Sequence, residues 1–269
     1  MPAPPLRQIT SFKNPALGLV RSLESKRTRR ERRLVVVEGE DLLNAALDAG
    51  LAPVTLLVDA ERVPADDPIL AAVGNLAERY AVPTEFMKKV SSMGHSPRLI
   101  AVLPQPAPGD FRTVPMPPSL GAWLTGVGDP GNVGTLVRTA AAFGCDWVAL
   151  GPGSADASNP KAVRAAMGAT FRVTLLEGVR GEDLATRPGL RIVAGVVRGG
   201  IPYWEADLAS PCIVALGAER AGVEDAIDAV GGAAEIVRVT IPQTDATESL
   251  NVAAAGAVLL SEARRQRAV

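Results

Sequence analysis

From residue 119 to the C-terminus, short apolar runs alternate with helix-like segments, and this alternation constrains the fold more than any other feature of the chain. Strands are predicted near Ala122–Thr125, Trp147–Leu150, Arg172–Leu175, Ile192–Val197, Ile213–Leu216 and Ile236–Val239. Helices are predicted near Val133–Phe143, Ala162–Gly168, Val223–Ala229 and Leu250–Arg265. Apolar strands separated by helices imply an α/β domain built on a mostly parallel sheet, covered on both faces. Ligands of such sheets sit beyond the carboxyl ends of the strands, so the loops there are where chemistry is expected.

The front of the chain alternates as well. A basic amphipathic helix over residues 15–32 precedes a strand at Leu34–Val37, a helix over Asp41–Ala49 and a strand at Val54–Val58. A helix near Ile69–Tyr80 and strands at Pro83–Phe86 and Ile100–Leu103 complete a small α/β domain. Five prolines in residues 105–118 exclude a helix interior or a central strand there. The expected organisation is a first domain over 1–110, a Pro-rich linker over 111–118 and a second domain over 119–269.

Charge is nearly balanced, with 28 basic and 29 acidic side chains, but residues 1–40 hold nine Lys/Arg against four acids. Lys26, Arg27, Arg29, Arg30, Arg32 and Arg33 form the densest part, which reads as a phosphate-binding surface or, equally, as a solvated helix face. Cys145 and Cys212 are too few and too far apart for a disulfide framework or zinc knuckle, and read as small buried hydrophobes. The single histidine, His95, lies in a turn-rich stretch and cannot build a metal site with other histidines, so no metal is expected. With no signal pattern and no apolar run near ~18 residues, a soluble cytoplasmic protein is expected.

Three loops carry polar groups at strand ends. The first, Gly126–Gly134, opens the helix that contains Arg138. It matches the dinucleotide fingerprint G-x-G-x-x-G literally, but the next strand runs into Gly151-Pro152-Gly153, leaving no ribose-binding acid. Asn132 can act as a helix cap there, and Arg138 as an ordinary surface arginine. Six residues of helix do not place the two side by side. The second loop is Gly217-Ala218-Glu219-Arg220-Ala221-Gly222, with a carboxylate between glycines that permit close backbone approach. The third runs from Thr240 to Asn251; Ser249 and Asn251 open a helix rich in small residues, more polar side chain than one cap needs.

Together these loops resemble the SpoU branch of the SPOUT methyltransferases, which methylate ribose 2′-hydroxyls of RNA. The residues that carry the resemblance are Asn132 through Arg138 and Phe143-Gly144, then Gly217-x-Glu219-x-x-Gly222, then Ile241-Pro242 and Ser249-Leu250-Asn251. Pro160–Gly168 adds a further family-like stretch, and the front of the chain resembles the ribosomal-protein-like αβα substrate-binding domain of ribosomal RNA members. The third motif departs from the family in its polar insert, Thr244–Glu248.

The resemblance implies a parallel sheet with a trefoil knot, a homodimer with active sites completed across the interface, and S-adenosylmethionine as cofactor. Cofactor contacts would come from Val196, Val197, Leu216, Gly217, Glu219, Gly222, Ile241, Pro242, Gln243, Ser249, Leu250 and Asn251. Arg138 would deprotonate the ribose or position a phosphate, and Asn132, Glu219, Ser249 and Asn251 would orient the reacting groups. Ribosomal RNA is the expected substrate; transfer RNA and a non-catalytic RNA-binding role are the alternatives.

Overall fold

The computed structural model describes residues 6–187, 189–218, 222–244 and 248–268. The chain forms two compact units, one of Met1–Pro106 with Ser158–Phe171, the other of Ala107–Ala157 with Arg172–Val269.

In the first unit, strands β1 (Arg7–Gln8), β2 (Leu34–Glu38), β3 (Thr55–Asp59), β4 (Glu78–Val82) and β5 (Leu99–Pro104) form a sheet ordered β1-β4-β3-β5-β2. β5 runs antiparallel to both neighbours; the other pairs are parallel. Helices α1 (Pro15–Ser22) and α5 (Thr84–Val90) cover one face, with Val36, Leu57, Ile100 and Val102 beneath them. Helices α3 (Glu40–Asp48) and α4 (Pro68–Val73) cover the other, over Val35, Val37, Leu56, Val58, Leu99 and Ala101. This odd-even split is the period-2 pleat written in the sequence. The basic helix α2 (Lys26–Arg32) follows α1.

Three expectations fail here. The one basic helix expected over residues 15–32 is two, α1 and α2, separated by a turn at residues 23–25. Residues 69–80 are not one helix, because Gly74 at φ +53° ends α4 and the chain continues into β4. The strand expected at Pro83–Phe86 is the start of α5, which Pro83 precedes and where the Thr84 hydroxyl donates to Asp59 at 2.7 Å.

Residues 158–171, far along the chain, complete this unit. Val163 joins the α3/α4 core and Phe171 packs against it. Gly168 lies so close to Ala45 that a Cβ there would come within 2.4 Å of the alanine methyl. Arg164 donates to Ser92 and pairs with the buried Glu38 at 3.6 Å.

In the second unit, strands β6 (Leu120–Leu124), β7 (Trp147–Leu150), β8 (Thr174–Glu177), β9 (Leu190–Gly195), β10 (Ile201–Pro202), β11 (Cys212–Leu216) and β12 (Ala234–Thr240) form one parallel sheet. Its order is β10-β12-β9-β11-β6-β7-β8. Helix α6 (Pro130–Ala142) follows β6; α7 (Pro160–Ala166) belongs to the excursion into the first unit. Helices α8 (Gly181–Ala185) and α9 (Glu224–Asp228) bring Leu184 and Ile227 onto a core with Trp123, Trp147 and Ile213. The final helix α10 (Val252–Arg267) packs against α6.

The Pro-rich stretch is not a free linker. Prolines exclude regular structure from it, yet Phe111, Val114 and Met116 pack onto the second unit's core, and Arg187 donates to the carbonyls of Phe111 and Arg112. The division between units falls after Pro106 rather than at 110.

Candidate active site

Parallel β6, β9, β11 and β12 end on one edge of the sheet, so the loops after them converge. Their glycines serve backbone approach. Gly126, at φ +70°, leaves no room for a side chain, since a Cβ would come within 3.0 Å of the Ala218 methyl. A Cβ on Gly153 would lie 3.2 Å from the Gly126 Cα. The literal dinucleotide fingerprint is therefore a loop-packing device. Gly217 is tighter still, with a Cβ placed 2.0 Å from the Gly222 carbonyl oxygen. Ala218 and Gly222 exchange both backbone hydrogen bonds, at 3.1 and 2.8 Å, pinching this loop at its base. Glu219 lies outside the described residues.

Two helices start at this edge. Asp129 caps α6, accepting from the Asn132 amide at 3.0 Å with Pro130 in the first turn. The capping role that the sequence allowed Asn132 is taken by a carboxylate three residues earlier, and the Asn132 side chain meets another partner. Asn251 caps α10, its Oδ1 accepting from Ala253 at 2.9 Å and Ala254 at 3.4 Å. That fixes which way its amide faces: Nδ2 points outward and donates to Asn132 Oδ1 at 3.1 Å. Two residues 119 apart in sequence thereby join two helix N-termini. The helices can approach because of Gly256, where a Cβ would come within 2.2 Å of Leu136 and 2.8 Å of Leu216.

Beside this junction lies a cavity of about 190 Å³. Of the residues expected to contact a cofactor, Val196, Val197, Leu216, Gly217, Gly222, Ile241, Gln243, Ser249 and Leu250 line it. Pro242 and Asn251 do not: Pro242 points into solvent, and the Asn251 side chain is committed to its cap and to Asn132. Ser249 lines the cavity and leaves capping to Asn251.

The cavity also takes in Gly195, Arg198 and Glu224, and the Val252, Ala255 and Leu259 stripe of α10. Sequence reasoning missed these, although Arg198 stands just after a strand end and 252, 255, 259 is plain helical spacing. Glu224 is held by Arg238 through two contacts of 3.1 and 2.9 Å, and this carboxylate raises the guanidinium pKa.

Arg138 is not brought to this group. It projects from the exposed face of α6, as Thr135 and Ala142 do, and does not line the cavity. Among the described residues it makes no ion pair or side-chain hydrogen bond.

The cysteines are buried, and burial pushes the Cys145 thiol up to about 12 and raises that of Cys212. Both are packing groups.

Lys26, Arg27, Arg30 and Arg32 of α2 and its C-cap Arg33 are exposed, but Arg29 is not. Arg29 is 1% exposed and donates to the carbonyls of Leu23 at 2.9 Å and Glu24 at 2.7 Å and to the Ser158 hydroxyl at 3.1 Å. The expectation that it binds RNA is corrected: its fork is used inside the first unit, closing the end of α1.

The arrangement offers an apolar cavity with backbone polar groups and a few polar side chains. It fits an adenosine and a short aliphatic chain: Leu216, Leu250 and Leu259 supply apolar surface, and Ser249, Gln243, Arg198 and Glu224 supply polar ends.

The SpoU rRNA Methylase family matches residues 119–261, and an MRM3-like substrate binding domain matches residues 14–101. An uncharacterised tRNA/rRNA methyltransferase of Synechocystis is 30% identical over 97% of this chain and 95% of its own. A 23S rRNA guanosine-2′-O-methyltransferase of Bacillus subtilis is 29% identical over 96% of this chain and all of its own. Among solved structures, an RNA 2′-O ribose methyltransferase superposes with a TM-score of 0.81 at 29% identity, covering 97% of this chain and 100% of that one. An AdoMet-bound rRNA methyltransferase from Sinorhizobium meliloti gives 0.82 at 28%, covering 97% and 98%. With the family model matching residues 119–261 and a relative 30% identical over 97% of this chain, the chain belongs to the SpoU rRNA methylase family.

Proposed function

We propose that this chain transfers a methyl group from S-adenosylmethionine to a ribose 2′-hydroxyl of ribosomal RNA. The observation that carries the reading is the Asn132–Asn251 junction of two helix N-termini beside a cavity lined by Val196, Gly217, Ile241 and Ser249. Ribosomal RNA is preferred to transfer RNA because the first unit matches an MRM3-like substrate binding domain and the Bacillus subtilis relative acts on 23S rRNA.

S-adenosylmethionine, when bound, supplies an electrophilic methyl group on a sulfonium. What the protein adds is placement, since attack by the 2′-oxygen must be in line. The loops at Val196–Val197, Leu216–Gly217 and Ile241–Gln243 would hold the cofactor, and Ser249, which lines the same cavity, would meet a polar group of it. Asn132 is clamped by Asn251 in one orientation and orients the ribose; Glu219 is assigned to the same task. Arg138 would bind the neighbouring phosphate and stabilise charge developing on the 2′-oxygen, whose proton passes to that phosphate or to water as the methyl group leaves sulfur, a role suited to a group that stays protonated.

The exposure of Arg138, away from its own chain's cavity, supports a homodimer in which each Arg138 serves the partner's site. Membership of the SpoU family supports a threaded, knotted C-terminal segment. Among the described residues no helix is long and apolar enough to cross a membrane.

Mapping 2′-O-methylation across total RNA with and without the protein tests the reading. One rRNA ribose is expected to gain a methyl group. Unchanged rRNA together with no S-adenosylmethionine binding by calorimetry would overturn it.

A further inference from the structure

The first unit carries a cluster that this function has not used. Phe12, just before α1, and Phe86, on α5, meet edge to face with ring centroids 5.4 Å apart. The Arg21 guanidinium lies 5.2 Å from the Phe12 centroid, and the Lys89 ammonium 5.6 Å from Phe12 and 5.8 Å from Phe86. Lys13 and Lys88, their chain neighbours, are exposed, as are Arg21 and Lys89. Among the described residues none of these four cations pairs with a carboxylate. Glu85, one turn before Lys89 on α5, is exposed and forms no ion pair with it.

An aromatic ring holds a cation differently from a carboxylate. It orders the side chain but leaves the full charge to act on something else. A long cationic side chain normally loses much rotamer freedom when an anion fixes it; here part of that ordering is already present. Two ring-held cations, with two exposed lysines next to them in sequence, therefore make a partly prearranged site for a polyanion. The nearer ring faces are occupied by cations, which favours backbone contact over base stacking.

We propose that Arg21 and Lys89, ordered by Phe12 and Phe86, form with the exposed Lys13 and Lys88 a second RNA-binding surface that grips phosphates without reading sequence, in addition to the exposed cations of α2. This rests on the reading that RNA is the substrate.

The test uses the full-length protein and a 23S rRNA transcript, with affinity measured by fluorescence anisotropy across a KCl series. Arg21→Gln with Lys89→Gln keeps the side-chain stems and is expected to weaken binding about tenfold near physiological salt. It should also lower the slope of log affinity against log salt by roughly two. Phe12→Leu with Phe86→Leu keeps every charge, and is expected to weaken binding about threefold with little change of slope. S-adenosylmethionine binding should be unchanged in both, which also reports an intact second unit. Unchanged affinity and slope in the cation variant would overturn the surface; unchanged affinity in the ring variant would overturn the ordering role. The binding readout needs no turnover, so a wild-type protein that binds RNA without methylating it sinks the proposed reaction and leaves this surface standing.

Discussion

At the residue scale, Asn251 does two separable things. Its oxygen caps α10 and its nitrogen holds Asn132. Asn251→Asp keeps the cap and loses the donor, so stability should stay within about 0.5 kcal/mol of the parent while methyl transfer falls about tenfold. Asn251→Ala loses both, and should also cost about 1 kcal/mol in urea denaturation. Equal stability loss in the two variants would contradict the division. Arg29 shows the same logic inside the first unit. Arg29→Met strands two carbonyls and Ser158 that now share its guanidinium, and should destabilise by about 2–4 kcal/mol without changing the salt slope of RNA binding. Arg32→Gln should do the reverse. For Cys145 the folded pKa of about 12 lies above the ordinary 9.0. Its neutral thiol thus favours folding below pH 9, and that contribution fades as pH rises past 9 toward 12. A thiol reagent at pH 8 should label neither cysteine until denaturant is added.

At the scale of elements, α6 and α10 meet at a position with no side chain. Gly256→Val would push into Leu136 and Leu216 and should lower stability by about 2–3 kcal/mol, whereas Ala254→Val on the exposed side should change it by less than about 0.5. A smaller loss at Gly256 than at Ala254, read from denaturation midpoints, would refute the close packing. The small-residue run of α10 made this tight contact legible in the sequence, though not its partner. The period-2 strands of the first unit were legible for the same reason: each pleat face buries its own set. Helix starts were under-read. Asn14-Pro15, Asp67-Pro68, Asp129-Pro130 and Asn159-Pro160 each place an accepting side chain before a proline whose missing N–H costs nothing. Recognising that pattern would have ruled out Asn132 as a cap. Arg29 was unreadable, because nothing in a run of arginines tells which one turns inward; that depends on carbonyls at the end of α1 and on Ser158.

At the scale of the whole molecule, three linear segments were expected and two interleaved units are found. Proline content marked the stretch after Pro106 correctly as irregular, but composition says nothing about what Phe111 and Met116 touch. Nor does alternation of strands and helices reveal that Ser158–Phe171 packs away from its sequence neighbours. A fragment ending at Pro106 lacks Val163, Phe171 and the Arg164 partner of Glu38. It should unfold at markedly lower urea than the first unit does in the full chain, by circular dichroism. Equal midpoints would show the excursion to be dispensable. The interleaving also bears on how the protein is born. A ribosome delivers the chain from its N-terminus, and many front domains fold as soon as they emerge. Here the first unit waits for a strap made more than fifty residues after its last strand, while the opening strands of its neighbour, β6 and β7, are already out. Completion of the first unit thus follows synthesis of β6 and β7, and a nascent chain stalled before Ser158 is expected to expose the bare α3/α4 face to chaperones.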